Sequence, residues 1–319
     1  MRALRESSYL TESLTSPTYD RPSIVSLQMS LDALLEQERL PASFRRVIDA
    51  VYVPLAERIT TEANRSGRTF IVGLCGAQGS GKSTAAAVLK VLLEAHGIST
   101  AVLSLDDLYL TRAERDELAA RVHPLLATRG VPGTHDVELG LTILDALSSS
   151  GHVTLPRFDK AADDRSEAST WLTVQAPVRV VIFEGWCVGA QAQSESALVQ
   201  PINSLEKKLD VDGTWRRYVN SQLAGVYQML FKRIDYLVLL AAPNFEVVYA
   251  WRLEQERKLR ERLAAEANPS RVMNEEQIAC FIQHYERLTR HVLEEMPSRA
   301  DVVLSLDAER RVADAGDSR

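Results

Sequence analysis

The sequence predicts a three-layer α/β/α domain with a mostly parallel central sheet, preceded by an N-terminal helical extension. Three observations carry this reading. Residues 76–84 read Gly-Ala-Gln-Gly-Ser-Gly-Lys-Ser-Thr, which fits the phosphate-loop pattern G-x-x-x-x-G-K-[ST] through Gly76, Gly81, Lys82 and Ser83. The loop lies between an apolar run of buried-strand character, 69–75, and a helical pattern from Lys82 to His96 carrying Ala85, Val88, Leu89, Val91 and Leu92. Downstream, short apolar runs at 100–105, 177–183, 236–241 and 301–306 alternate with helical patterns, the order that builds a parallel sheet covered on both faces. Strand, glycine loop and helix in that order define the P-loop NTPase type of fold.

The loop's composition follows from the chemistry of its ligand. Triphosphate is a dense anion, so its site needs backbone N–H groups aimed inward with no Cβ in the way, which Gly76, Gly79 and Gly81 permit. Lys82 adds a point charge for the β- and γ-phosphates. Ser83 falls in the first helical turn, where its hydroxyl can take one position on Mg²⁺ and the helix N-terminus adds positive potential. A glycine-rich turn with a solvated lysine is the plainer alternative, and the strand and helix on either side argue against it.

A chain of 319 residues with 45% hydrophobic content can bury a sizeable core. Its net charge of −6 means that the surface as a whole recruits neither nucleic acid nor anionic membrane, so anions must be held by local Arg and Lys groups. Residues 1–20 are Ser/Thr-rich, carry Arg2, Arg5, Glu6 and Glu12, and lack the apolar core of a secretory signal. A cytoplasmic protein without a transmembrane segment is therefore expected. Cys75, Cys187 and Cys280 have no metal-ligand spacing and are expected to be reduced and structural.

In chain order, residues 1–21 are expected to be poorly ordered. Residues 23–40 carry Leu27, Leu31, Leu34 and Leu35 along one helical stripe, and Pro41 stops it. A second helical pattern runs from Phe44 through Ile59, kinked or restarted at Pro54. The strand at 100–105 leads straight into Asp106-Asp107-Leu108-Tyr109, and the carboxyl edge of a parallel strand is where ligands bind in open α/β sheets. The plainer reading makes the two aspartates turn residues satisfying backbone N–H groups. Thr111 and Glu114 form a capping box that starts a helix to about Val122. Arg129 and His135 lie in the loop 124–135, and Asp136 caps a helix to about Leu147.

A strand is expected at 152–158 and a charged, solvated loop at 161–167, with Arg157, Lys160 and Arg165 clustered around them. The strand at 177–183 ends in Glu184, the position of a second nucleotide-binding element whose carboxylate faces Mg²⁺. Residues 186–212 read as irregular and 215–232 as one helix. The helix at 244–265 carries Arg252, Arg257, Lys258, Arg260 and Arg262, and reads either as a lid over triphosphate or as a solvated helix pairing them with Glu254, Glu256 and Glu261. Asn274 and Gln277 begin an amphipathic helix to Met296, and 308–319 reads as a charged tail.

Six motifs carry a resemblance beyond the fold. They are residues 76–84, Ser104-Leu105-Asp106-Asp107-Leu108-Tyr109-Leu110, Arg129-Gly130-x-x-Gly133-Thr134-His135-Asp136, Leu155-Pro156-Arg157-Phe158-Asp159-Lys160, Phe183-Glu184-Gly185-Trp186 and Trp251-Arg252-Leu253-x-Gln255-Glu256. Over residues 70–307 the chain resembles the plant-type D-glycerate 3-kinases and their microbial relatives, and more distantly uridine, pantothenate and phosphoribulose kinases. The resemblance implies phosphorylation of a primary hydroxyl, with D-glycerate to 3-phosphoglycerate foremost, using ATP and Mg²⁺. It implies catalytic roles for Asp106, which would accept the hydroxyl proton, and for Lys82 and Arg252.

Gly76, Ala77, Gln78, Gly79, Ser80, Gly81, Lys82, Ser83 and Thr84 would hold the nucleotide, and Ser83 with Glu184 the metal. Asp107, Tyr109, Arg129, His135, Asp136, Arg157 and Arg165 would face the acceptor, an arginine gripping its carboxylate. The chain then divides into a disordered start and helical extension, 1–65, and a kinase domain, 66–319, with a lid at about 252–273. Another small acceptor, or a regulatory NTPase, is the alternative. The absence of an Asn-Lys-x-Asp motif and of a Leu-Ser-Gly-Gly-Gln signature counts against the latter.

Overall fold

The run Phe70–Gly76 forms strand β1 and is buried at every position, because both of its edges and both of its faces are covered. The computed structural model describes residues 24–265 and 273–317. The first 21 residues, and Asn268-Pro269-Ser270-Arg271 of the expected lid, lie outside the described residues.

Helices α1 (Ile24–Gln37), α2 (Phe44–Val47) and α3 (Val53–Ser66) precede β1. The expected break near Pro54 is a single π-helical turn, Ile48–Tyr52, and the proline sits at the start of α3, where a missing N–H costs nothing. Helix α4 (Lys82–Ala95) leaves the glycine loop and leads to β2 (Thr100–Ser104), α5 (Arg112–Arg121) and α6 (Val137–Leu147). The Thr111–Glu114 capping box and the Asp136 cap both form.

The next segment departs from expectation. In place of one strand and a solvated loop, two hairpins stand outside the main sheet. Strand β3 (Gly151–Leu155) pairs antiparallel with β6 (Leu172–Ala176), and β4 (Phe158–Asp159) with β5 (Asp164–Arg165). Pro156, without an N–H, interrupts the ladder, and the Asp159 carboxylate accepts the N–H groups of Ala161 and Ala162, turning the charged loop back on itself.

Strand β7 (Val180–Gly185) follows, then α7 (Ser204–Leu209) in the segment expected to be irregular, capped by Asn203. The expected single helix at 215–232 is two helices, α8 (Thr214–Ala224) and α9 (Val226–Phe231), because Gly225 adopts a non-helical ψ of −105°. Strand β8 (Tyr236–Ala241), helices α10 (Phe245–Ala265) and α11 (Glu275–Glu295), and strand β9 (Val302–Leu306) are as the sequence predicts. The expected charged tail instead forms β10 (Val312–Asp317), antiparallel to β9. The Asp307 carboxylate accepts the N–H groups of Glu309 and Arg311 and folds the turn between them.

The sheet order is β10-β9-β8-β1-β7-β2, parallel except at β10, so the expected α/β fold holds. From β1 the chain passes through α4 to β2, two places away, and β7 later inserts between them. This sets the carboxyl ends of β1, β7 and β2 side by side, with Glu184 in register with Leu74 and with Ser104. A strand order that branches to both sides of β1 opens a crevice at those ends. Leu31, Ile48 and Ile59 of the N-terminal helices share one buried cluster with Val72, Leu74 and Leu89. Among the described residues no helix is long and apolar enough to cross a membrane.

Candidate active site

A cleft of about 2240 Å³ opens at the carboxyl ends of β1, β7 and β2. Gln78, Gly79, Lys82, Ser83, Asp106 and Glu184 line it. The glycine loop wraps the start of α4, with Gly79 at φ 78° and Gly81 at φ 89°. A Cβ on Gly79 would stand 2.7 Å from the Cβ of Trp251, so both backbone conformation and space require glycine there. Gly76, Ala77 and Ser80 are buried behind the loop, and Thr84 is half-buried on α4.

The Ser83 hydroxyl donates to Glu184 Oε1 at 3.1 Å, bringing together the two residues expected to hold a metal. The second Glu184 oxygen is buried and has no hydrogen-bond partner. A buried, unpartnered carboxylate oxygen beside a serine hydroxyl in the cleft of the glycine loop fits a hard divalent cation. Among the described residues no group of three or more His, Cys, Asp and Glu could hold a metal ion.

Asp106 lies in the 3₁₀ turn Leu105–Leu108 that ends β2. Its Oδ1 accepts from the Tyr109 hydroxyl at 2.8 Å and its Oδ2 from Lys160 Nζ at 2.6 Å. Burial would push this carboxyl up, but Lys160 and Lys82 nearby, with the hydrogen bonds from Lys160 and Tyr109, hold it well below the ordinary carboxylate range. Asp106 is therefore ionised at any physiological pH. Asp107 turns the other way: it accepts from Arg157 at 2.8 Å and from the Phe158 N–H at 3.0 Å, anchoring β4 to the end of β2.

Behind Asp106 lies a buried aromatic stack. The Tyr109 ring stacks on His135 with centroids 4.6 Å apart, and His135 Nδ1 lies 2.6 Å from the Tyr227 hydroxyl, which also accepts the Gly133 N–H. Burial, opposed by Asp106, holds the His135 pKa down at about 3, so this imidazole stays neutral. Arg129 completes the rim, pairing with the Asp163 carboxylate and lying over the Phe158 ring at 5.5 Å. Gly130, at φ 132°, permits this loop, since a Cβ there would stand 2.0 Å from the Tyr285 hydroxyl.

Of the residues expected to face an acceptor, Asp107, Tyr109, Arg129 and Arg157 line the cleft, and His135, Asp136 and Arg165 stand behind it. Arg165 donates to the Tyr109 carbonyl at 3.1 Å and to Asp136 at 3.3 Å, while Asp136 also caps α6. Arg252 lines the cleft and pairs with Glu256 at 2.6 Å, the helix-internal pairing that was its plainer reading. The side chains of Lys258, Glu261 and Arg262 lie outside the described residues. Cys75 and Cys187 are buried thiols, the first pushed up to about 12 by burial, whereas Cys280 is exposed.

Two contributors escaped sequence reasoning. Lys160 stands in the sequence within a charge cluster and the Leu-Pro-Arg-Phe-Asp-Lys motif, with no sign of its partner Asp106, 54 residues away. Arg310 lay in the expected tail, yet it donates through Nε to the Gly79 carbonyl at 2.6 Å, pairs with Glu254 at 2.8 Å and covers the Trp251 ring at 5.2 Å. No local spacing signals either contact.

A phosphate loop at the end of a central parallel strand, a serine–carboxylate pair beside it and an ionised aspartate across the cleft define a phosphate-loop kinase. No family model matches the chain. It is 38% identical over 228 residues to the uncharacterized kinase mug58 of Schizosaccharomyces pombe, covering 69% of this chain and 79% of that protein. It is 30% identical over 226 residues to the chloroplastic D-glycerate 3-kinase of Arabidopsis thaliana, spanning 46% of that longer protein. The structure is similar to D-glycerate 3-kinase from Cryptococcus neoformans var. grubii, with 25% identity and a TM-score of 0.68 over 84% of this chain and 99% of that one. The chain belongs to the same kinase family as the mug58 protein, is similar to the plant and fungal D-glycerate 3-kinases, and is a phosphotransferase.

Proposed function

We propose that this protein transfers the γ-phosphoryl group of ATP to the primary hydroxyl of a small hydroxy acid, with D-glycerate to 3-phosphoglycerate the reaction it fits best. The observation that carries the reading is the ionised Asp106 at the carboxyl edge of β2, in the same cleft as Lys82 and the Ser83–Glu184 pair. The names of the plant and fungal relatives support the choice of acid.

In this reading the loop N–H groups and Lys82 hold the phosphates, and Ser83 and Glu184 hold Mg²⁺. When bound there, Mg²⁺ would supply charge neutralisation for the phosphate groups. Asp106 orients the acceptor hydroxyl and takes its proton as the oxygen bonds to the γ-phosphorus and the bond to the β,γ-bridging oxygen breaks, releasing ADP. Tyr109, fixed by its stack on His135, holds the other Asp106 oxygen in place. Arg252, which also lines the cleft, supplies positive charge to the group in transfer.

The test is an acceptor panel with Mg-ATP: D-glycerate, L-glycerate, pantothenate, uridine and ribulose 5-phosphate, with ADP formation as readout. D-glycerate should give the highest kcat/KM by at least ten-fold. Preferred use of uridine, pantothenate or ribulose 5-phosphate, or turnover independent of any acceptor, would replace this reading.

A further inference from the structure

Every arginine that the sequence offered as a grip for the acceptor's carboxylate already holds a carboxylate of this chain. Arg157 pairs with Asp107 at 2.8 Å, Arg165 with Asp136 at 3.3 Å, Arg252 with Glu256 at 2.6 Å, and Arg129 with Asp163. Each of these pairs ties one structural element to another or stiffens a helix, so releasing one would loosen the wall of the cleft. Lys160 differs in what it holds. Its partner is Asp106, the proposed proton acceptor, at 2.6 Å.

Lys160 also differs in freedom. It sits on the short turn between β4 and β5, with its side chain 61% exposed, against 50% for Arg157, 22% for Arg129, 19% for Arg165 and 16% for Arg252. An ammonium group on a flexible four-carbon stem, with three rotatable donors, can change partners without moving the backbone. The pair also has a chemical cost: a carboxylate bound to an ammonium group is a weak proton acceptor, so Asp106 gains basicity when Lys160 leaves it.

We propose that Lys160 is the carboxylate anchor of the acceptor and a gate on Asp106: the acid's own carboxylate takes over the ammonium group, freeing Asp106 for the hydroxyl of the same molecule. The inference rests on the hydroxy-acid reading above and adds the residue that enforces it. An uncharged alcohol has nothing to exchange with Lys160, so it meets an Asp106 still paired. Water, the other competing nucleophile, is disfavoured in the same way, which limits wasteful ATP hydrolysis.

The experiment compares the wild-type chain, Lys160→Met and Lys160→Arg. It measures KM and kcat with D-glycerate and with glycerol, KM for Mg-ATP, and D-glycerate binding by calorimetry in the presence of Mg-ADP. Lys160→Met should raise both KM and Kd for D-glycerate at least ten-fold and erase most of the preference over glycerol. Lys160→Arg, which keeps the charge, should recover part of that preference and so separates a charge effect from misfolding. An unchanged glycerate-to-glycerol preference in Lys160→Met overturns the anchor. So does a rise in KM for Mg-ATP with D-glycerate binding intact, which assigns Lys160 to the transferring phosphoryl group. A wild-type chain that neither binds nor phosphorylates D-glycerate overturns the hydroxy-acid reading itself, and the anchor with it, by an outcome distinct from the other two.

Discussion

Asp106 is held by opposing forces, burial favouring its neutral form and two lysines favouring the ion, and the lysines win. A single-atom change isolates the consequence. Asp106→Asn keeps the size and can still accept from Tyr109, but it cannot take a proton. The expected result is a fall in kcat of roughly 10²-fold or more with little change in KM for Mg-ATP. An equal loss of nucleotide binding, measured by ADP titration, would make Asp106 a metal or structural residue instead. The position of this aspartate is legible in the sequence because a strand's carboxyl edge is a local feature, as is a glycine loop. Its partners are not: Lys160 reaches it across a hairpin, and the Tyr227 hydroxyl that fixes His135 arrives from a helix 92 residues on.

At the scale of elements, the turn between β9 and β10 bears on the phosphate loop. Arg310 holds a left-handed backbone, φ 64°, that a side chain adopts at some cost, and its guanidinium joins the Gly79 carbonyl, Glu254 on α10 and the Trp251 ring. Trp251 in turn donates to the Ala308 carbonyl at 2.7 Å. The turn therefore links the basic helix to the loop that faces the nucleotide. Two substitutions separate side chain from backbone. Arg310→Gly relieves the positive φ and Arg310→Ala does not, but both remove the contacts. Both should raise KM for Mg-ATP several-fold with KM for the acid nearly unchanged, the glycine variant being the more stable to heat. Wild-type KM for Mg-ATP in both variants would reduce Arg310 to a turn residue. Strands and helices with strong periodicity, such as β1, α4 and α11, are legible in the sequence. The β4–β5 hairpin and β10 are not, since their short strands are set by aspartate-capped turns rather than by hydrophobic pattern.

For the molecule as a whole, the question is whether the helices before β1 form an appendage or part of the kinase core. The sequence boundary at residue 65 marks where the family resemblance begins, and resemblance is not packing. Ile59 of α3 is fully buried, in the same cluster as Leu74 of β1 and Leu89 of α4, and α1 and α3 both lie on α4, the helix that starts at Lys82. A cavity cut at Ile59 should therefore weaken the support of the phosphate loop as well as the extension. Ile59→Ala is expected to cost about 2–5 kcal/mol, the range for large-to-small changes in a packed core. With roughly 2–4 °C lost per kcal/mol in a domain of this size, the midpoint should fall by several degrees or more. Scanning calorimetry should show one transition, shifted as a unit and still raised by Mg-ADP, because a ligand of the folded state stabilises everything that unfolds with its site. A separate early transition, insensitive to Mg-ADP, with the main one left at its wild-type temperature, would instead make residues 24–66 a unit that folds apart from the kinase core.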